Sequence, residues 1–198
     1  MATASPSLET LREEAAACRA CPLWKDATQT VFGEGPQHAR AMLVGEEPGD
    51  KEDLVGKPFV GPAGLMLDRA LEEAGIDRKK VYVTNAVKHF KYVPRGRIRL
   101  HQKPVTVEIK ACRTWLEREL EFVQPKAAVA LGATAAQSLF GKAMPVNENR
   151  GQLFDLGASK GMITIHPSYL LRIEEPADAK AEYERFVSDL KLLLPYLG

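Results

Sequence analysis

The sequence predicts an α/β protein, a three-layer αβα sandwich around a central four-stranded parallel sheet. Two observations carry that prediction. Four short apolar runs, Ala41-Met-Leu-Val-Gly45, Val81-Tyr-Val-Thr-Asn85, Ala127-Ala-Val-Ala-Leu131 and Met162-Ile-Thr-Ile165, are continuous rather than alternating, as strands covered on both faces must be. Between them lie helical stripes, with Leu67, Ala70, Leu71 and Ala74 on one and Ile109, Cys112, Leu116 and Leu120 on another. The order is αβαβαβαβα, which specifies right-handed crossovers between parallel strands.

The remaining elements follow from their stop signals. Residues Ala133 to Phe140 predict a short helix ended by Gly141, which adopts a left-handed cap at no steric cost. After Pro176, which a first helical turn tolerates, the spacing Tyr183, Phe186, Val187, Leu190, Leu194 predicts a final amphipathic helix. Repeats, low-complexity tracts and linkers are absent, so residues 1–198 read as a single domain, frayed up to about Ser7. A chain of this length buries roughly 70% of its unfolded surface and needs no disulfide staples.

Composition excludes several classes. Three cysteines, an odd number, argue against a secreted disulfide framework and for thiols that stay reduced, bind metal or react, which implies the cytoplasm. The start, Met1 to Ser7, runs into Glu9, Glu13 and Glu14 without a signal-length apolar stretch. The most apolar segment, Ala127 to Ala136, is about half the ~20 residues a bilayer requires, so no membrane partner is expected.

The net charge of +1 hides a strong asymmetry. Between Asp77 and Glu108 there is no acid, yet Arg78, Lys79, Lys80, Lys88, Lys91, Arg95, Arg97, Arg99 and Lys103 hold nine of the 27 positive charges. Screening confines such a field to about 8 to 10 Å, so a local cluster binds phosphates even on a neutral protein.

Ligands of open α/β sheets bind beyond the carboxyl ends of the strands. Those ends read Gly45-Glu-Glu-Pro-Gly-Asp50, Thr84-Asn-Ala-Val-Lys-His89, Leu131-Gly-Ala133 and Ile165-His-Pro-Ser168, and all but Leu131-Gly-Ala133 carry side chains capable of chemistry or base recognition. Together with Gly56-Lys-Pro-Phe-Val-Gly-Pro-Ala-Gly64, the set Glu46, Val83-Thr-Asn-Ala-Val-Lys88 and His166-Pro-Ser168 resembles the iron-sulfur (family 4-type) branch of the uracil-DNA glycosylase superfamily, from Cys18 to about Arg172. Within that branch, Arg97-Ile-Arg-Leu-His-Gln-Lys-Pro104 resembles the basic, histidine-bearing loop of the UdgX type, which stays covalently attached to uracil-containing DNA.

The resemblance implies a DNA repair enzyme that cleaves the N-glycosidic bond of uracil, with single-stranded DNA preferred. It assigns the pocket to Glu47, Gly49, Phe59 and Asn85, with Phe59 stacking beneath the flipped base and Asn85 reading its edge. An amide offers one acceptor and a donor, matching the N3 donor and O4 acceptor of uracil and mismatching cytosine. Gly61 to Gly64 leads into a helix whose N-terminus favours an anion. His166 is assigned to uracil O2, where charge develops as the bond breaks. DNA contacts fall to Arg95, Arg97, Arg99, Lys103, Ser168 and Arg172.

For the sugar cation, the resemblance implies capture by His101, oriented by Glu46, with a single-turnover DNA adduct as product. Water positioned by Glu46 is the alternative, and a non-catalytic metal-containing nucleic-acid module a second. Two departures stand out: Glu47 replaces a glutamine, and Ile98 replaces a basic residue. Cys18, Cys21, His89 and Cys112 are the implied ligands of a [4Fe-4S] cluster, His89 replacing a cysteine; three cysteines and a histidine fit tetrahedral zinc equally well. A monomer acting in the cytoplasm, on the nucleoid when DNA-bound, is expected.

Overall fold

The computed structural model describes residues 7–198. The fraying expected at the start otherwise concerns residues 1–6, outside the described residues; Ser7 itself caps the first helix, its Oγ accepting from the Thr10 N–H at 3.1 Å. In chain order the elements are α1 (Leu8–Ala16), β1 (Ala41–Gly45), α2 (Asp50–Val55), α3 (Pro62–Glu73), β2 (Val81–Asn85), β3 (Tyr92–Arg95), β4 (Ile98–His101), α4 (Thr106–Val123), β5 (Ala127–Leu131), α5 (Ala133–Phe140), α6 (Val146–Asn149), β6 (Leu153–Leu156), β7 (Ser159–Thr164), α7 (Pro167–Leu170), α8 (Pro176–Lys191) and α9 (Leu194–Leu197).

The central sheet runs β2-β1-β5-β7-β6, and the first four strands are parallel. Its residues alternate between two cores, as the pleat requires. Ala41, Leu43, Val81, Val83 and Val129 pack with Leu67 and Leu71 of α3 and Phe186 and Leu190 of α8. Met42, Val44, Tyr82, Ala128 and Ala130 face Leu116 of α4 and Ala135 and Leu139 of α5. The three-layer sandwich is thus as expected, and Gly141 caps α5 at φ +71°.

The sheet has five strands rather than four. The added strand, β6, is antiparallel to β7 and sits at the edge, where half of it meets solvent; it carries no continuous apolar run to betray it. Gly157, at φ +61°, starts the two-residue turn between them, and β7 begins at Ser159 and ends at Thr164, earlier than the apolar run suggests.

A second correction concerns the segment expected as a basic loop. It is an antiparallel hairpin, β3 against β4, turned at Gly96 with φ +62°. Pairing Tyr92 with His101 and Pro94 with Arg99 puts these four on one face, and Val93, Leu100, Arg95 and Ile98 on the other. The hairpin forms a sheet of its own.

Candidate active site

A cleft of about 940 Å³ opens beyond the carboxyl ends of β1, β2, β5 and β7. Glu46, Glu47, Gly49, Phe59, Asn85, His101, Lys103, His166, Ser168 and Arg172 border it, so loops distant in sequence converge there. Arg95 and Arg97 are exposed near the hairpin tip, outside the cleft lining.

The floor is built around glycine. A Cβ on Gly45 would lie 2.3 Å from Asn85 Oδ1 and 2.6 Å from Phe59 Cζ, so both side chains reach the cleft across a bare backbone. Phe59 has φ +56°, a left-handed conformation that L residues avoid and that clusters at functional sites. Gly64 permits it, since a Cβ there would sit 1.8 Å from the Phe59 carbonyl oxygen. The Phe59 ring stacks on that of His166, centroids 6.1 Å apart. Glu52, not singled out by the sequence, holds the two glycine segments together: one oxygen accepts from the Gly61 N–H at 2.6 Å and the other from the Gly49 N–H at 3.1 Å. The Gly61 amide at the start of α3, expected to await a bound anion, is therefore already met by a carboxylate of the chain itself.

His166 is held as a neutral donor. Its Nδ1 accepts from the Ser168 N–H at 3.2 Å and lies 2.8 Å from Ser168 Oγ, which leaves the single ring proton on Nε2. Burial pushes its pKa down to about 4, and the charges of Arg172 and His101 act in the same direction. Ser168, expected at the DNA backbone, is thus engaged in orienting this ring.

At the opposite wall, His101 Nε2 lies 2.9 Å from Glu47 Oε1 and 3.9 Å from Glu46 Oε1. The nearer carboxylate is Glu47, whose side chain is fully buried. The contact is close but off line, and neither Glu47 oxygen has a hydrogen-bond partner. Burial raises the Glu47 pKa to about 7, against the pull of His101. Contact with Glu47 raises that of His101 in turn. Glu46 is anchored instead by the Thr134 hydroxyl, in the first turn of α5. Sequence reading passed over that strand end because Leu131-Gly-Ala133 carries no polar side chain; the chemistry sits one residue further on.

The hairpin is latched over the cleft by Arg99. Its Nη1 meets Asp53 Oδ2 at 2.5 Å and its Nε meets Asp50 Oδ1 at 2.6 Å, both on α2, which follows directly on Glu46 and Glu47. The guanidinium also lies over the rings of Phe90 and Tyr92, 5.3 and 5.1 Å from their centroids. Arg99 is therefore committed to the protein rather than presented to solvent.

Cys21 and Cys112 share a small buried cluster with Leu23, Val87 and Ile109. The neighbouring Cys112 thiol lowers the pKa of Cys21, while its own is raised by Cys21 and by burial. Cys18 Sγ accepts from Trp115 Nε1 at 3.2 Å, and His89 Nε2 is 2.9 Å from Thr30 Oγ1. Among the described residues no three His, Cys, Asp or Glu side chains converge on a metal position. The donor set nonetheless fits one, since His89 Nδ1 is buried without a hydrogen-bond partner, an orphan acceptor of the kind a metal satisfies.

A model of the Uracil DNA glycosylase superfamily matches residues 32–191 of the chain. The chain is 41% identical over 174 residues to a Type-4 uracil-DNA glycosylase of Thermotoga maritima, covering 87% of each. It is 35% identical over 168 residues to a Type-4 uracil-DNA glycosylase of Sulfurisphaera tokodaii, covering 82% of this chain and 73% of that protein. A Type-5 uracil-DNA glycosylase of Pyrobaculum aerophilum is 28% identical over 182 residues, with 83% of this chain and 77% of the other covered.

Proposed function

The chain belongs to the uracil-DNA glycosylase superfamily, a family of DNA repair enzymes, and on that premise we propose that it excises uracil from DNA, single strands preferred, and stays attached to the abasic sugar through His101. The observation that carries the reading is that His101, on the hairpin, and His166, after β7, border the same cleft as Asn85 and Phe59.

The base leaves the stack at a cost of a few kcal/mol and enters the cleft over Phe59, where stacking returns about 1 to 3 kcal/mol. The Asn85 amide pairs with uracil N3–H and O4. The N1–C1′ bond breaks with its electron pair going to N1, and the His166 Nε2–H donates to O2 as negative charge arrives there. A neutral imidazole suits this step, since its donor strengthens in the transition state without first neutralising the uracilate.

C1′, now cationic, is captured by the lone pair of one His101 ring nitrogen, forming a C–N bond. The proton on the second nitrogen passes to the facing carboxylate, Glu47 or Glu46, and leaves a neutral N-alkyl imidazole, a poor leaving group. Arg95 and Arg97 near the hairpin tip, with Lys103 and Arg172 at the cleft, meet backbone phosphates. Exposed Tyr169 and Leu171 fill the vacated stack. Attack by water is the second reading, favoured by Glu46, which Thr134 fixes beside the cleft.

Cys18, Cys21, His89 and Cys112 hold a [4Fe-4S] cluster in this proposal, or zinc as the alternative. The group supplies a tie between the segment before β1, the end of β2 and α4, rather than chemistry on the base. The protein acts as a monomer on DNA of the cytoplasmic nucleoid; no helix among the described residues is long and apolar enough to cross a membrane.

Incubation with uracil-containing and thymine-containing oligonucleotides, resolved on a denaturing gel, tests the reading. A uracil-dependent band shifted by the mass of the protein is the expected result. Free abasic product without a shift selects the water mechanism, and the absence of both a shifted band and abasic product refutes glycosylase activity altogether.

A further inference from the structure

Beneath the cleft, Lys88 and Glu119 form an ion pair whose side chains are 1% and 0% exposed. The Lys88 ammonium lies 2.5 Å from Glu119 Oε2, 2.6 Å from Thr84 Oγ1 and 2.7 Å from the backbone oxygen of Asn85. Its three hydrogens are all spent, and the Phe32 ring covers it at 5.7 Å. Glu119 Oε1 accepts from the Gly33 N–H, the Tyr82 hydroxyl and the Thr84 hydroxyl at 2.9 to 3.0 Å.

Stability alone does not account for a pair at this depth, because apolar residues of the same volume hold a core as well or better. What an ammonium adds is direction. The segment it grips is also fastened to the loop bearing Glu46: the Ala86 N–H donates to the Gly45 oxygen at 2.9 Å and the Val87 N–H to the Glu46 oxygen at 3.0 Å. The Lys88 N–H, in turn, donates to Cys112 Sγ at 3.4 Å.

We propose that Lys88 is a positioning residue for base recognition, its ammonium pinning the Asn85 carbonyl and so setting the angle at which the Asn85 amide enters the cleft. The inference rests on the reading that Asn85 recognises uracil. Through its own backbone the same residue joins that recognition to the cysteine site.

The test compares two variants. Lys88→Met with Glu119→Gln removes the pin without leaving a buried charge unpaired, and Tyr82→Phe weakens the same network while leaving the Lys88 to Asn85 contact in place. The double variant is expected to bind uracil-containing single-stranded DNA about tenfold more weakly, the effect of one lost charge-assisted hydrogen bond, with poorer discrimination against cytosine. Tyr82→Phe is expected to lower the melting temperature yet keep both. Binding losses that merely track melting temperature in the two variants, or a double variant that binds like the parent, overturn the inference. Should the double variant not fold, free uracil is titrated into the parent protein carrying nitrogen-15 lysine: a slowly exchanging Lys88 ammonium signal that moves with uracil binding supports the pin, and one that stays fixed overturns it. A parent protein that releases no uracil from DNA refutes the proposed activity instead, so the two failures are told apart.

Discussion

His101 Nε2 sits 2.9 Å from Glu47 Oε1, a full ångström nearer than Glu46 Oε1 at 3.9 Å. The resting imidazole thus lies nearest the carboxylate that stands where glutamine was expected. Glu47 titrates near pH 7, and its raised pKa means that the fold favours the protonated acid. That contribution to stability is complete below the unfolded value near 4.5 and is lost as pH rises through about 7. Glu47→Gln is therefore expected to melt higher than the parent at pH 8 and about equally at pH 4.5, as thermal melts at the two values will check. The same variant removes a negative charge facing the leaving uracilate, so its uracil release at pH 8 should be several-fold faster.

Replacement of His101 by Gly leaves Asn85, Phe59 and His166 in place. Uracil release should continue, with water entering the space left by the ring, while the denaturant-resistant adduct disappears. An adduct formed by His101→Gly as readily as by the parent would rule out the imidazole as the bond-forming group, and mass spectrometry of the peptide spanning the hairpin identifies the modified residue directly.

Arg99 belongs to the same question from the other side. Its substitution by Met strips the partner from Asp53, whose side chain is fully buried and keeps the Thr28 N–H at 2.9 Å. A loss of about 1 to 3 kcal/mol in stability is expected from the carboxylate left short of partners. The larger effect should fall on the hairpin: adduct yield drops by about tenfold or more, as expected when a positioned group is misplaced, while uracil release changes little. Equal losses in both steps would show that Arg99 supports the whole cleft rather than the hairpin alone.

His166 predicts acid sensitivity. Its pKa falls from 6.5 to about 4 on folding, so the unfolded chain binds more protons between those values. The stability this residue contributes is present above pH 6.5 and is lost as pH falls toward 4, with a slope approaching about 1.4 kcal/mol per pH unit. His166→Gln should flatten that limb of the stability profile and, lacking the imidazole donor, slow uracil release by about 100-fold or more.

Removing the proposed metal has a structural signature. Purified aerobically, the protein should be brown, with iron and acid-labile sulfide in stoichiometric amounts; a colourless protein carrying one zinc selects the alternative. Chelation or Cys112→Ser should lower the melting temperature and loosen the segment from Cys18 to Lys25, read by limited proteolysis.

Most of the scaffold was legible because buried parallel strands advertise themselves: Ala41–Gly45, Val81–Asn85 and Ala127–Leu131 fall where their apolar runs place them. The edge strand Leu153–Leu156 was not, since an edge needs no unbroken apolar run. The hairpin was hidden for a related reason: charge clustered at Arg95, Arg97 and Arg99 drew attention to phosphates, although Gly96 between alternating residues is a turn signal. Thr134 meets Glu46 and Lys88 meets Glu119 across long stretches of chain, while Glu52 spans two glycine loops, and spacing along a chain does not encode such contacts.

Because Tyr92–His101 pairs with itself as a sheet of its own, the nucleophile proposed above, His101, rides on an accessory to the main sheet, fastened through Arg99. Evolution can lengthen, shorten or swap such an appendage while the main sheet goes on folding, provided a partner for the buried Asp53 is kept. A repair enzyme of this architecture is thus one exchanged ribbon away from becoming a marker that labels each lesion permanently, and the reverse change is just as near.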